Sequence, residues 1–233
     1  MGEETPKRPR PWHQKCTGFF MGILLRLFFR LYGRWRLIGV ENVPKTGPVI
    51  FAANHASYLD PLVGWSAIWG TRKMIGVAKE ELWKNRLVAY FMDSLDSIPV
   101  KRHSADRTMF RRCLEVLERG DTVGIFPEGT RTYDGKLNPA EPGMALLYVK
   151  TKAPIVPVAL IGTFEMYPRK AKRLRRVSLR VVFGKPITFE ANINRDLIGE
   201  TVMREVANLF TQNGIPMEPP SPERTALLPK DDH

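Results

Sequence analysis

From Gly47 onward, short runs of aliphatic and β-branched residues alternate with segments whose apolar positions recur every three to four residues. The runs predict strands over 49–53, 74–78, 97–100, 122–126, 155–161 and 177–183. The helical pattern predicts helices over 61–70, 80–94, 105–119, 143–152 and 196–213. Ser104 is placed to cap the third of these helices and Gly120 to stop it. Strands that alternate with helices argue for an α/β fold, a mixed and mostly parallel sheet flanked by helices.

The chain ahead of this alternation reads differently. Residues 17–32 carry Phe19, Phe20, Met21, Ile23, Leu24, Leu25, Leu27, Phe28, Phe29 and Leu31, broken by Arg26 and Arg30. A bilayer span needs about 20 apolar residues, more than this stretch offers. The arginines also break the apolar region of a signal peptide, and no small-residue cleavage site follows. An amphipathic helix lying in a membrane interface fits better, with Arg26 and Arg30 on one face reaching lipid phosphates. Trp12 and Trp35 flank it, where interfacial aromatics belong. The alternative is a helix packed on the protein's own core. After Gly214 the sequence turns polar and Pro-rich. Three parts are therefore expected: a basic segment with the interfacial helix over 1–36, one catalytic domain over 37–213, and a loosely held tail over 214–233.

Charge sharpens this division. Of a net +12, residues 1–36 supply eight Lys/Arg against two Glu, and residues 169–176 supply six more with no acid. Those two segments account for the whole excess. Their partner is a polyanionic surface, either anionic lipid or nucleic acid. Residues 169–176 hold no Phe, Tyr or Trp to stack on bases, which speaks against nucleic acid. The two cysteines, Cys16 and Cys113, show no metal-type spacing, and Cys113 sits among apolar residues as a core thiol. Trp65 and Trp69, one helical turn apart, read as packing residues or as the wall of an apolar groove.

Two clusters bear chemistry. Asn54-His55-Ala56-Ser57-Tyr58-Leu59-Asp60 follows the predicted strand 49–53 and runs into a helix start at Asp60-Pro61. Strand ends are where α/β sheets place their sites. Folded back across the turn, Asp60 can accept a hydrogen bond from His55 Nδ1–H, leaving Nε2 to take a proton from an alcohol. The alternative is that Asp60 only caps its helix. The second cluster is Phe126-Pro127-Glu128-Gly129-Thr130-Arg131, directly after another predicted strand. A Gly turn with an Arg can present backbone N–H groups and a guanidinium to an oxyanion or phosphate. Its alternative is a turn with a surface Glu–Arg pair.

Taken together, His55-x4-Asp60 followed by Phe-Pro-Glu-Gly-Thr-Arg resembles the glycerolipid acyltransferases of the 1-acylglycerol-3-phosphate type. Ala78-Lys79-Glu80-Glu81-Leu82, ending at Ile98-Pro99-Val100-Lys101-Arg102, looks like that family's second block, and Ile155-Val156-Pro157-Val158-Ala159-Leu160 like its fourth. The likeness covers roughly residues 38 to 189. It implies that His55 is the general base and Asp60 its orienting partner. It implies too that Glu128, Gly129, Thr130 and Arg131 bind the acceptor's glycerol phosphate, with Lys79 and Arg102 completing the phosphate site. Pro157 would shape the wall of the acyl or acceptor pocket.

The resemblance further implies no metal and no cofactor, only acyl-CoA or acyl-carrier-protein as the donor substrate. The expected acceptor is lysophosphatidate, with glycerol 3-phosphate, another lysophospholipid, a glycolipid, or a non-catalytic lipid-binding relative as alternatives. The expected partners are the lipid acceptor, the thioester donor, acyl carrier protein in the carrier-dependent case, and an anionic membrane surface, without nucleic acid. The expected place is peripheral, on the cytoplasmic face of the cell membrane. One departure stands out: Met92-Asp93-Ser94-Leu95-Asp96-Ser97 replaces the glycines usual before Ile-Pro-Val, and puts two acids near the implied phosphate site.

Overall fold

The computed structural model describes residues 12–95, 97–100, 107–190, 192–221 and 223–224. Seven strands form one sheet: β1 (Arg36–Ile38), β2 (Val49–Ala53), β3 (Met74–Lys79), β4 (Ile98–Val100), β5 (Thr122–Ile125), β6 (Ile155–Ile161) and β7 (Arg180–Phe183). Their order is β1-β7-β6-β2-β5-β3-β4. Every neighbouring pair is parallel except β6 with β7. Seven α-helices, with 3-10 turns at Val40–Asn42 and Glu80–Lys84, complete the described chain: α1 (Trp12–Tyr32), α2 (Asp60–Ile68), α3 (Arg86–Ser94), α4 (Arg107–Glu118), α5 (Pro142–Thr151), α6 (Thr163–Met166) and α7 (Arg195–Gln212).

The central strands explain themselves. Val49, Ile50, Phe51 and Ala52 of β2 are all buried, because both faces of the sheet are covered and alternation has no value there. Ile50 and Ala52 pack into one core with α4, α5 and α7, among Val123, Leu147, Tyr148, Ile155, Ile198 and Val202. Val49 and Phe51 point to the opposite face and pack with Phe29 of α1 and Val63 and Ala67 of α2. β6 is buried along its full length.

Pro157 sits inside β6, where a missing N–H is normally damaging. Its carbonyl accepts from Gly184 N–H at 2.8 Å, so its ring nitrogen faces the same edge, just past the end of β7. No ladder donor is needed there. A Cβ on Gly184 would stand 2.7 Å from the Pro157 ring, so the glycine makes room for it.

All six predicted strands are present, and the α/β class with a mostly parallel sheet holds. Three differences have physical causes. β1 escapes a periodicity reading because it is three residues long and starts with an exposed Arg36; its ladder partner is β7, far along the chain. The predicted helix 80–94 splits into a 3-10 turn (Glu80–Lys84) and α3, because the Asn85 side chain accepts from Leu87 and Val88 N–H and begins a new helix. Ser104, the expected cap of α4, lies outside the described residues. The described part of the segment after Gly214 is not loose: Ile215 and Met217 pack against a core cluster that contains Leu137, Val182 and Phe210.

α1 has two unlike faces. Its inner face is small: a Cβ at Gly18 would meet the Ser94 carbonyl oxygen at 2.9 Å, and one at Gly22 would meet the Trp69 ring at 2.2 Å. Bare backbone at these two positions is what lets the helix seat on α2 and α3. Arg26 lies on this face too, contrary to the expectation that it reaches outward with Arg30. Its Nε donates to Ser66 O at 3.0 Å and its Nη2 to Ala67 O at 3.4 Å. The last turn of α2 leaves carbonyls without intrahelical donors, and a guanidinium satisfies them while complementing the helix dipole. The outer face carries Phe19, Phe20, Ile23, Leu24, Leu27, Phe28 and Leu31, all exposed. No helix among the described residues is long and apolar enough to cross a membrane.

Candidate active site

β2 ends at Ala53, and the chain leaves the sheet under tight control. The buried Asn54 side chain accepts from Leu160 N–H at 2.7 Å and donates to Leu160 O at 3.2 Å, fastening the exit to the end of β6. His55 follows at the carboxyl end of the strand. Its Nδ1 lies 2.9 Å from Asp60 Oδ2. The same oxygen accepts Ala56 N–H and Ser57 N–H, each at 2.6 Å. Asp60 is fully buried at the start of α2, and no side chain caps that helix from Leu59. The carboxylate therefore turns back to the histidine loop instead of capping the helix. With an acid on Nδ1, that nitrogen carries the proton and Nε2 presents its lone pair.

Three further contacts fix His55. Its ring stacks on Phe126, centroids 4.0 Å apart and planes 14° from parallel. Its carbonyl accepts Thr132 N–H at 2.9 Å. Its own N–H donates to Glu128 Oε1 at 2.6 Å. The ring is left partly open, with 18% of the side chain exposed. Phe126, Glu128 and Thr132 all belong to the loop after β5, so the two sequence clusters meet side by side at the ends of neighbouring parallel strands.

In that loop Gly129 N–H closes a turn onto Phe126 O at 3.1 Å, and Gly129 then takes φ +67°, where a side chain is strained by about 1–2 kcal/mol. Glu128 is buried, and its second oxygen accepts Asn138 N–H at 2.9 Å. Burial pushes its pKa up to about 8, against the two backbone N–H groups that favour the charged form. The Asp60 charge pushes the same way as burial, and Arg224 opposes it.

Arg131 is 8% exposed, and its Cζ lies 3.4 Å from the centroid of the Tyr58 ring. Its Nη1 is buried with no hydrogen-bond partner among the described residues. A buried guanidinium nitrogen without an acceptor is costly, and a bound anion is what removes that cost. The sequence paired Glu128 with Arg131 as acceptor-binding groups. In the structure both Glu128 oxygens are taken by backbone N–H groups, whereas Arg131 has a donor to offer. Thr130 is half-buried and Gly129 exposed on the same loop.

The remaining expected residues are placed as follows. Lys79 closes β3 opposite Val100, with its side chain outside the described part; Arg102 lies outside the described residues. Pro157 pairs with Ala52, three residues ahead of His55, inside the sheet and not at its edge. Asp93 accepts from the Trp83 indole at 2.9 Å, and Asp96 lies outside the described residues. Trp65 and Trp69 line a cavity of about 450 Å³ with Phe19, Met74 and Leu95, at the end of α2 away from Asp60. Cys113 is buried, and burial pushes its thiol up to about 12. No group of three or more His, Cys, Asp or Glu suited to a metal ion occurs among the described residues.

Several residues escaped the sequence reading. Asn54 and Phe126 stand inside the quoted motifs and act by a side-chain clasp and a ring stack that spacing does not reveal. Asn138, just past the second motif, and Arg224, far from either, carry no sequence signal.

Comparisons with known proteins place the chain in a family. The Acyltransferase family model matches residues 34–161, more than half of the chain, and takes in both clusters. The chain is 31% identical over 153 residues to a chloroplastic 1-acyl-sn-glycerol-3-phosphate acyltransferase of Brassica napus, covering 64% of this chain and 44% of that one. It is 27% identical over 169 residues to the 1-acyl-sn-glycerol-3-phosphate acyltransferase of Bacillus subtilis, covering 72% and 81%. The chain thus spans about half the length of its plant chloroplast relatives. Among solved structures, the 1-acyl-sn-glycerophosphate acyltransferase PlsC of Thermotoga maritima superposes with a TM-score of 0.69 at 28% identity, covering 87% of this chain and 83% of that one. With that model matching more than half of its length, the chain belongs to the Acyltransferase family.

Proposed function

We propose that this protein transfers a fatty acyl group from an acyl thioester, acyl-CoA or acyl-carrier-protein, to the free hydroxyl of lysophosphatidate, giving phosphatidate. The observation that carries this reading is His55, held through Nδ1 by a fully buried Asp60 so that Nε2 is the free base. Nε2 takes the proton as the acceptor hydroxyl attacks the thioester carbonyl. The C–S bond then breaks, and the imidazolium returns that proton to the departing thiolate. Asp60 stabilises the imidazolium in between. The unpartnered Arg131 Nη1 supports a phosphate on the acceptor, because a guanidinium pairs with phosphate oxygens two at a time. The reaction as written uses no metal and no cofactor.

The protein works at a membrane surface in this reading, on the cytoplasmic face. The exposed apolar stripe of α1 enters the acyl boundary, and the basic segment 169–176 meets anionic headgroups. Charge and place agree: Lys170, Lys172, Arg173, Arg175 and Arg176 are exposed. Two hydrogen bonds hold this segment at the end of α1, Tyr32 Oη–H to Leu174 O at 3.0 Å and Arg176 Nη2 to Leu31 O at 3.4 Å.

The test is release of free thiol from oleoyl-CoA, with and without lysophosphatidate, for wild type and His55→Ala. Release that needs lysophosphatidate and vanishes in the variant supports the reading. Release with glycerol 3-phosphate or another lysolipid instead moves the acceptor and keeps the base. Silence with every acceptor and with both donors overturns the reading in favour of a lipid-binding protein.

A further inference from the structure

Arg224 stands beyond α7, in a segment with no motif, yet its side chain reaches the loop that holds the histidine. A turn, Arg224 N–H to Ser221 O at 3.0 Å, presents it. Its Nε donates to Asn138 Oδ1 at 3.1 Å and its Nη2 to Asp134 Oδ1 at 2.5 Å. Asp134 also accepts Thr132 Oγ1–H at 2.9 Å and Lys136 N–H at 3.1 Å. Burial raises the Asp134 pKa, but the Arg224, Lys136 and Thr132 donors outweigh it and hold the carboxyl below its ordinary value.

Both ends of this bridge lead to His55. Thr132, bonded to Asp134 through its hydroxyl, donates its own N–H to His55 O. Asn138, bonded to Arg224 through its amide oxygen, donates its N–H to Glu128 Oε2, and Glu128 Oε1 holds His55 N–H. Ile215 and Met217 anchor the same segment against the core cluster that contains Leu137, the neighbour of Asn138.

We infer that Arg224 is a positioning residue for acyl transfer: by tying Asp134 to Asn138 it keeps the loop 128–138 closed on the backbone of His55. The inference rests on the proposed role of His55 as base. Without the tie, Glu128 and Thr132 hold a looser loop, and the Nε2 lone pair spends less time where the acceptor hydroxyl meets the thioester. A small misplacement of a base is felt in the chemical step far more than in binding.

The experiment uses the full chain with Arg224→Ala, Arg224→Lys and Asp134→Ala, and Glu223→Ala as the control. Amide hydrogen exchange at His55 and Asn138 is read beside steady-state thiol release from oleoyl-CoA. The expected result for Arg224→Ala is about a tenfold fall in kcat with KM nearly unchanged. Faster exchange at both amides and an unchanged melting temperature accompany it. Arg224→Lys, which keeps one of the two contacts, falls between, and Asp134→Ala behaves as Arg224→Ala. Unchanged exchange at His55 and Asn138 in Arg224→Ala overturns the inference, whatever the activity. So does a rise in KM at constant kcat, which makes Arg224 a substrate-binding group. Exchange does not depend on turnover. A wild type inactive with every acceptor therefore condemns the proposed reaction, while exchange still decides whether the tie exists.

Discussion

Glu128 Oε1 accepts the backbone N–H of His55 at 2.6 Å across 73 positions of sequence, while its Oε2 accepts that of Asn138. One buried carboxyl thus joins the two motif loops through the main chain. The Gly-Thr-Arg turn on which Arg131 is mounted consequently cannot shift without disturbing His55. Holding His55 and Arg131 in fixed relation is what the proposed transfer between two bound substrates requires.

Glu128 gives the first prediction, in pH. Its folded pKa, about 8, lies above the ordinary 4.5, so the folded chain keeps this proton longer than the unfolded one. The stability it contributes is complete below 4.5 and is lost as pH rises through about 8. Thermal melts of wild type and Glu128→Gln across that range should show the wild-type advantage shrinking toward the alkaline end. The amide introduced by Glu128→Gln also turns an N–H₂ toward one of the two backbone donors, so the variant should be less stable by about 1–3 kcal/mol at the acid end. A difference that does not change with pH would mean that Glu128 does not titrate there.

Asp60→Asn should remove activity and spare the fold. An amide can keep its oxygen on the Ala56 and Ser57 N–H groups and on His55 Nδ1–H, because one oxygen serves all three. It brings no charge to stabilise the imidazolium, however, and puts an N–H₂ where Asp60 Oδ1 is buried without a partner among the described residues. Loss of that charge is expected to lower kcat by roughly 10²–10⁴. Thiol release and a melting curve on the same preparation check it. Substantial activity in a folded Asp60→Asn would reduce Asp60 to an anchor for the loop.

Much of this site could be read in the sequence, and the part that could not has a clear character. His55 and Asp60 lie five positions apart across one turn, a distance a local reading can close. The strands 49–53 and 122–126 were legible because buried parallel strands are unbroken apolar runs, and that placed both motifs at strand ends. What escaped depends on main-chain atoms. Glu128 was legible as a carboxylate of the site, but the two backbone N–H groups it serves were not. Arg26 looked outward because its partners, carbonyls at the end of α2, have no residue identity to read. β1 and Arg224 escaped for a third reason: their partners are distant, and only the closed fold brings them near.

Arg131 should separate binding from chemistry. If its Nη1 meets the acceptor phosphate, Arg131→Ala should raise KM for lysophosphatidate by about 10–100-fold, the worth of a charge-assisted bond, while KM for oleoyl-CoA stays nearly constant. Arg131→Lys should recover little, because an ammonium neither lies flat on Tyr58 nor pairs with two oxygens. Initial rates over a grid of both substrates measure it. A matching rise in the donor KM would assign the cation to the thioester instead.

The outer face of α1 supplies the last prediction. Seven large apolar side chains lie exposed along it, while the inner face is spent on Trp69, Ser94 and the carbonyls of α2. A membrane that takes up the outer face gains about 1.5–3 kcal/mol for each side chain it fully buries. Leu24→Glu with Leu27→Glu should then lower partition onto anionic phospholipid vesicles by about 100-fold or more, in flotation at fixed lipid. The inner contacts do not involve these two residues, so the melting temperature without lipid should stay near wild type. Reversing Arg173 and Arg175 to Glu should weaken binding in a different way, strongly at low ionic strength and little at high, because headgroup attraction is screened and apolar insertion is not. Equal flotation of all three proteins would place the docking surface elsewhere. A loss in the basic-segment variant alone would make the contact electrostatic, with α1 lying on the surface and not in it.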